Sequence, residues 1–347
     1  MSLRAARTGE QSADPGLEGK VAFLSDPRSY QEPVGRVVAI ETHMSWVFLC
    51  GRHAYKLKKP WRLDHHDLGT VIARRDHCRL EIRLNRRLSE GVYLGAVTLA
   101  VDADGRLVLD GRGQVIDWLV HMRRLPGERM LDRLIRERAL RPGELRPAVA
   151  LLARLYRGCA PAVTSPARFR ARILRGVVES AVELRAVEGA LPEAMIEDVC
   201  SRQRDFVERF AAHFDRRVAE GRIVEGHGDL RPEHICLEDQ PQIIDCLEFS
   251  RGLRIVDAAE EFGFLALECE RLGAPDIKRA LFDAYAEFSG DTAPAALVNF
   301  YQSYHACVRA KLAIWHLRDP SMRDPARWVV QAQTYLDLAR EHLDSRH

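Results

Sequence analysis

Residues 225–249 read Glu-Gly-His227-Gly-Asp229-Leu-Arg-Pro-Glu-His234-Ile-Cys-Leu-Glu-Asp-Gln-Pro-Gln-Ile-Ile-Asp245-Cys-Leu-Glu-Phe. His-Gly-Asp-Leu is a poor helix interior, because Gly228 weakens it and Pro232 follows. The stretch reads as a loop between a long helix and a short strand. Polar loop residues framed by apolar strands are typical of a positioned site. Asp245 follows Ile243-Ile244, at the end of a second short strand. It lies 16 residues after Asp229, enough for a hairpin that brings both carboxylates to one place. Two such carboxylates suit phosphoryl transfer. One orients a substrate hydroxyl and accepts its proton, while the other holds Mg2+ against the phosphates.

The elements around this loop change texture near residue 122. Residues 1–20 are expected to be disordered. Val34–Ile40 and Ser45–Cys50 are β-branched and apolar, and Ala54–Lys58 alternates. The break at Gly51-Arg-His53 makes a hairpin. Leu68–Leu88 carries apolar residues at helical spacing. Ala96–Val101, Leu107–Leu109 and Val115–Met122 add further strands. Beyond Leu125-Pro-Gly127 the periodicity is helical over 130–138, 142–157, 168–187, 192–220 and from Ala258 onward. Ile235–Leu237 and Gln242–Asp245 interrupt it. The expected organisation is a strand-rich, nucleotide-binding N-lobe over 21–122. A helical C-lobe over 123–347 follows, with the catalytic loop and an acceptor region. A cleft between lobes is the natural ligand site.

Composition bounds the rest. The chain has 347 residues, 46% hydrophobic and 29% charged, with a formal net charge of +2. That excludes a disordered or fibrous chain and gives no bulk field for nucleic acid or a membrane surface. No run reaches the ~18 apolar residues of a membrane helix, and the N-terminus has no signal-peptide core. The 8 cysteines are scattered without a C-x-x-C pair, which reads as reduced thiols in a cytoplasmic protein. Lysines are scarce, at Lys20, Lys56, Lys58, Lys59, Lys278 and Lys311, and three of them sit within four positions.

His227-Gly-Asp-Leu-x-x-x-x-Ile resembles the catalytic loop of the aminoglycoside phosphotransferase family, small-molecule kinases of the protein-kinase-like fold. The resemblance includes an uncharacterised bacterial branch that is sometimes fused to a P-loop kinase domain. No G-x-x-x-x-G-K-[ST] match occurs in this sequence. The resemblance implies a two-lobed α+β fold and ATP with Mg2+ (or Mn2+) as cofactors. The acceptor would be a small-molecule hydroxyl, with no nucleic-acid or membrane partner. It implies that Asp229 is the catalytic base and Asp245 the metal ligand. Asp257-Ala-Ala-Glu-Glu261 is similar to a helix start of the family.

Ala54-Tyr-Lys56 resembles the kinase strand whose Lys meets the α/β-phosphates, and Glu81 resembles the helix Glu that pairs with it. Lys58 lies on the same strand face and is the alternative. Glu81 also reads as an exposed helix charge. Met122 matches the hinge position against adenine, or else is ordinary core.

Three departures stand out. No G-x-G-x-x-G covers the first turn. Glu41–Ser45 takes that place, with Ser45 or Thr42 as hydroxyl donors or as plain turn residues. His234 occupies the position where the family usually has Asn. It reads as a metal ligand, as a hydrogen-bond partner of Asp229, or as a mark of lost or altered activity. Asp245 is followed by Cys-Leu rather than Phe-Gly. His227 reads as structural. His65-His66 between Asp64 and Asp67 lacks a distant partner for a metal site. Glu260, Glu261, Glu268 and Glu270 read as a face for a polycationic acceptor or as ordinary surface carboxylates, and Arg309 and Lys311 as contacts for an anionic acceptor or as exposed helical charges. A nucleotide-binding pseudokinase is the alternative function.

Overall fold

The computed structural model describes residues 14–63, 66–318 and 324–345. The chain divides between Pro126 and Gly127 into two compact units, four residues beyond the change of texture at 122. Asp64 and His65 lie outside the described residues, as do residues 1–13.

The first unit runs α1 (Gly16–Ser25), β1 (Val37–Glu41), β2 (Ser45–Cys50), β3 (His53–Lys58), β4 (Arg62–Leu63), β5 (His66–Asp67), α2 (Val71–Asn85), β6 (Tyr93–Val101), β7 (Leu107–Leu109) and β8 (Gln114–Arg123). One antiparallel sheet has the order β1-β2-β3-β8-β6-β7. Gly51 opens the two-residue β2–β3 turn at φ 54, a backbone that glycine adopts without a Cβ penalty. The register sets Val47 opposite Lys56 and Ser45 opposite Lys58. Period-two alternation therefore puts both lysines on one face of β3. Thr70 caps α2 by accepting the Ala73 N–H.

The N-terminal expectation needs correcting. Residues 16–20 are helical rather than disordered. Lys20 is buried and donates to Asp117 Oδ2 at 2.9 Å and Asp14 Oδ2 at 2.8 Å, and Arg74 Nε donates to Asp117 Oδ1 at 2.6 Å. One turn on, Leu24 is buried with Phe48, Leu57, Leu99 and Leu119. The helix is held by these distant partners, which local texture does not reveal.

The second unit runs α3 (Leu131–Arg136), α4 (Arg146–Gly158), α5 (Pro166–Leu184), α6 (Glu193–Arg209), α7 (Ala211–Ala219), β9 (Ile223–Glu225), β10 (Ile235–Cys236), β11 (Gln242–Ile243), α8 (Arg251–Arg254), β12 (Ile255–Asp257), α9 (Ala258–Arg271), α10 (Ile277–Ser289), α11 (Ala295–His316) and α12 (Pro325–Asp344). β10 pairs with β11, with Ile235 opposite Ile243, and β9 pairs with β12. These two small ladders frame residues 226–234. Asp257 begins α9 with a capping box. It accepts two hydrogen bonds from Arg217 and one from the Tyr301 hydroxyl. That buried anchor fixes where α9 starts, and α9 packs on the 232–234 turn.

Candidate active site

In the first unit, β3 and α2 bring three charged side chains together. Lys56 Nζ lies 3.0 Å from Glu81 Oε1 and Lys58 Nζ lies 2.5 Å from Glu81 Oε2. Glu81 is buried, not the exposed helix charge that its sequence also allowed. Two ammonium groups thus share the one carboxylate of Glu81. Lys58 is 2% exposed at its side chain and Lys56 13%, so Lys56 is the one with an edge in water.

Ser45 is buried at the start of β2, and its N–H is bonded to Thr42 Oγ1 at 3.0 Å. The Thr42 hydroxyl donates to the Ser45 carbonyl at 2.9 Å, so it closes the turn. Met122 is buried in β8 opposite Ala54.

In the second unit, the loop is built around His227. Its Nε2 lies 2.9 Å from the Ile244 carbonyl, which can only accept, so Nε2 carries the proton. Nδ1 is then the acceptor for the Asp229 N–H at 3.3 Å. One neutral ring thus ties the Asp229 loop to the residue before Asp245. Glu261 secures the same loop from α9. Its carboxylate accepts the N–H of His227 at 2.9 Å, the N–H of Gly228, and the Tyr156 hydroxyl at 2.7 Å. A Cβ on Gly226 would lie 2.3 Å from Glu261 Oε2, so only glycine admits this approach. Gly228 sits at φ 87, again a glycine conformation.

Burial pushes the His227 imidazole down from 6.5 to about 4. The unfolded chain binds this proton near pH 6.5 and the folded chain only near pH 4, so the unfolded state is favoured by protonation in between. The contribution is intact above the unfolded value and is lost as pH falls toward the folded one, up to about 3 kcal/mol in all. His227→Gln is expected to flatten the fall in urea-unfolding free energy between about pH 7 and about pH 4.5. An unchanged slope would count against this origin.

Both carboxylates converge on His234. Its Nδ1 donates to the Asp229 carbonyl at 2.8 Å and lies 3.9 Å from Asp229 Oδ2. Its Nε2 lies 3.5 Å from Asp245 Oδ2. Arg231 Nη2 sits 3.1 Å from that same Nε2, and a guanidinium can only donate. The Nε2 lone pair is therefore spent on Arg231 rather than offered outward. Arg231 also gives Nε to Asp229 Oδ2 at 3.1 Å and Nη1 to Glu233 at 2.6 Å. Burial acts to raise the Asp229 carboxyl, but the guanidinium of Arg231 above all, with that of Arg309, leaves it below its ordinary value. Asp245 takes φ 61, a left-handed backbone that Asp tolerates better than most residues.

Sequence reasoning missed Arg231 and the positioning role of Glu261. An Arg two residues past Asp229 was a readable signal. Glu261 was not, because its targets are backbone N–H groups. Arg309 and Lys311 part company on α11. Arg309 meets Glu268 at 3.1 Å, while the Lys311 ammonium lies over the Trp315 ring. Two residues along a helix is about 200° of rotation. Among the described residues no group of three or more His, Cys, Asp and Glu is arranged to hold a metal by itself. The Asp245 carboxylate is a hard oxygen donor of the kind that shares Mg2+ with phosphates and water. The donor chemistry therefore fits Mg2+.

A family model described as the phosphotransferase enzyme family matches residues 55–296. The chain belongs to that family. The matched span includes Lys56, Glu81, Met122, Asp229, His234 and Asp245, but not Thr42, Ser45, Arg309 or Lys311. Uncharacterized proteins of Mycobacterium tuberculosis and Mycobacterium bovis are 34% identical over 313 residues, covering 87% of this chain. The chain spans 60% of their length. Among solved structures, a choline/ethanolamine kinase family protein from Mesorhizobium loti matches with a TM-score of 0.54 at 17% identity, covering 94% of this chain and 97% of that one. Choline kinase LicA from Streptococcus pneumoniae gives 0.54 at 13%, covering 95% and 98%. The GDP complex of aminoglycoside 2'-phosphotransferase-IIIa gives 0.51 at 16%, covering 94% and 97%. The fold is accordingly the kinase-like α+β fold that the catalytic-loop resemblance implied.

Proposed function

We propose that the chain is an ATP-dependent phosphotransferase that moves the γ-phosphate to a hydroxyl of a small molecule. The observation that carries this reading is the convergence of Asp229 and Asp245 on the single ring of His234. In this reading Asp229 accepts the acceptor's proton and Asp245 holds Mg2+. Lys56, oriented by Glu81, meets the nucleotide phosphates. Ser45 sits at the phosphate turn and Met122 against the base. Mg2+, when bound, neutralises charge developing on the phosphates. The family supports the reaction class, and the kinase and phosphotransferase neighbours with small-molecule names support the kind of acceptor.

ATP consumption with Mg2+ and with Mn2+ across a panel of hydroxylated metabolites tests it. Acceptor-dependent ADP release is expected, and none with any acceptor or metal would sink it.

One observation favours a second reading, a nucleotide-binding pseudokinase. His234 stands where the family usually has Asn, and its Nε2 lone pair faces Arg231 rather than a metal. In that case nucleotide binds but no acceptor is consumed.

The lysine pair gives a separate expectation. Lys56→Ala removes the more exposed cation and leaves Lys58 on Glu81. Nucleotide affinity should fall by roughly 1.5–3 kcal/mol, the worth of a charge-assisted hydrogen bond, with the fold kept. Lys58→Ala removes a buried partner of a buried carboxylate and should lower thermal stability more than Lys56→Ala does. Calorimetric titration with ATP, together with melting curves, separates the two. The reverse pattern would make Lys58 the phosphate lysine.

A further inference from the structure

Two electron-rich atoms face each other across the catalytic loop. The Nδ1 proton of His234 goes to the Asp229 carbonyl, which can only accept. Nε2 therefore carries the lone pair, and it lies 3.5 Å from Asp245 Oδ2. An imidazole nitrogen and a carboxylate oxygen on one tetrahedral Zn2+, each about 2.1 Å from the ion, stand roughly 3.4 Å apart. His234 and Asp245 are thus already at the spacing of two donors on one ion. Two donors do not hold an ion by themselves, and among the described residues no third His, Cys, Asp or Glu joins them. Phosphates and water are left to complete the set.

What stands in the way is Arg231. Its Nη2 lies 3.1 Å from the same His234 Nε2, on which it can only donate. Its other donors pin the guanidinium there. Nε goes to Asp229 Oδ2 at 3.1 Å and Nη1 to Glu233 Oε1 at 2.6 Å. The second Glu233 oxygen is buried without a partner, and no other side chain bonds this carboxylate among the described residues. The planar fork of an arginine meets three such acceptors in one geometry, which the single ammonium of a lysine does not. The consequence is a choice of metal. An imidazole nitrogen suits Zn2+ or Ni2+, whereas a carboxylate with phosphates and water suits Mg2+. An open Nε2 beside Asp245 would turn an oxygen site into a mixed nitrogen and oxygen site.

We propose that Arg231 selects the metal of this site: it occupies the His234 lone pair, leaves Asp245 as an oxygen ligand without the imidazole, and so holds the site for Mg2+ against softer divalent ions. Arg231 is a positioning residue in this role, because it acts through His234. The inference rests on the phosphotransferase reading, in which Asp245 holds the metal, and adds how the ion is chosen.

Calorimetric titration with Zn2+ tests it without turnover, on four forms of the full chain: unsubstituted, Arg231→Leu, His234→Asn and the double variant. Leucine donates no hydrogen bond. Losing a positive charge raises affinity for any cation, and that part is shared whether residue 234 is His or Asn. The difference between the two backgrounds belongs to the imidazole. Arg231→Leu should raise Zn2+ affinity at least about tenfold where His234 is present, and no more than about threefold where it is replaced by Asn. With Arg231 in place, His234→Asn should leave Zn2+ affinity within about twofold. A merely structural role for Arg231 would not create a new Zn2+ site. Equal gains in both backgrounds overturn the inference. So does a loss of about tenfold or more in His234→Asn alone, because the imidazole would then already be a ligand. If Arg231→Leu does not fold, that last comparison decides. ATP with Mg2+ is titrated into the unsubstituted chain alongside. Mg2+-dependent nucleotide binding together with equal Zn2+ gains overturns only the metal-selecting role, whereas no nucleotide binding overturns the phosphotransferase reading beneath it.

Discussion

Asp229→Asn is expected to keep nucleotide affinity within a few-fold and to lose turnover by about 10²–10⁴, the span of a positioned general base. The carboxylate is held from several sides. Its backbone N–H goes to His227 and its carbonyl accepts from His234, while Arg231 Nε fixes Oδ2. Asn retains size and one carbonyl oxygen, so the loop geometry survives. What it loses is the ability to take a proton. The surrounding cations leave the Asp229 carboxyl below its ordinary value despite its burial. The Asp229 carboxylate therefore stays ionised well below neutral pH. The acid limb of turnover should fall below the ordinary carboxylate range and be absent from the residual rate of the variant. Phosphate transfer and nucleotide calorimetry on one preparation check this. Near-normal turnover in the variant would reduce Asp229 to a loop-capping carboxylate and leave the proposed mechanism without a base.

Much of this geometry was legible because it is local. Gly228 and Pro232 mark the loop, the isoleucines mark the short strands, and the spacing of Asp229 and Asp245 allows a hairpin. β10 and β11 do form one, with Ile235 opposite Ile243. Lys56 and Lys58 were separable only in three dimensions, because alternation places both on one face and both reach Glu81. α1 was illegible for a different reason. Lys20 is satisfied by Asp117, 97 residues away, and Leu24 by a sheet not yet formed at that point of the chain. β9 and β12 are three residues each and pair across the whole catalytic segment, so no local pattern announces them. Glu261 shows the same limit within the site. A carboxylate that serves backbone N–H groups has no complementary side chain to look for. Its sequence position on an apolar helix, next to Glu260, suggested an acidic face instead.

Asp245→Asn is expected to abolish most of the gain in nucleotide affinity that Mg2+ provides, about 10- to 100-fold for the loss of one charge-assisted oxygen ligand. The substitution isolates charge from backbone. Asp245 sits in the left-handed region at φ 61, and Asn tolerates that region as Asp does. The flanking bonds, Ile244 N–H to the His234 carbonyl and Leu247 N–H to the His227 carbonyl, do not involve the side chain. Its carboxylate is 42% exposed, open enough to meet phosphates and water-bound metal. His234→Asn provides the contrast. His234 Nε2 accepts from Arg231, and its Nδ1 proton is given to the Asp229 carbonyl, so little of the ring is left for a hard cation. Asn at 234 restores the usual family residue and should leave Mg2+-dependent affinity within a few-fold. Nucleotide affinity is measured by calorimetry across a Mg2+ series for the unsubstituted chain and both variants. A metal dependence unchanged in Asp245→Asn would remove Asp245 from the metal site. A larger loss in His234→Asn would move the site to the imidazole, and with it the preferred ion toward Mn2+, because an imidazole nitrogen is a softer donor than a carboxylate oxygen.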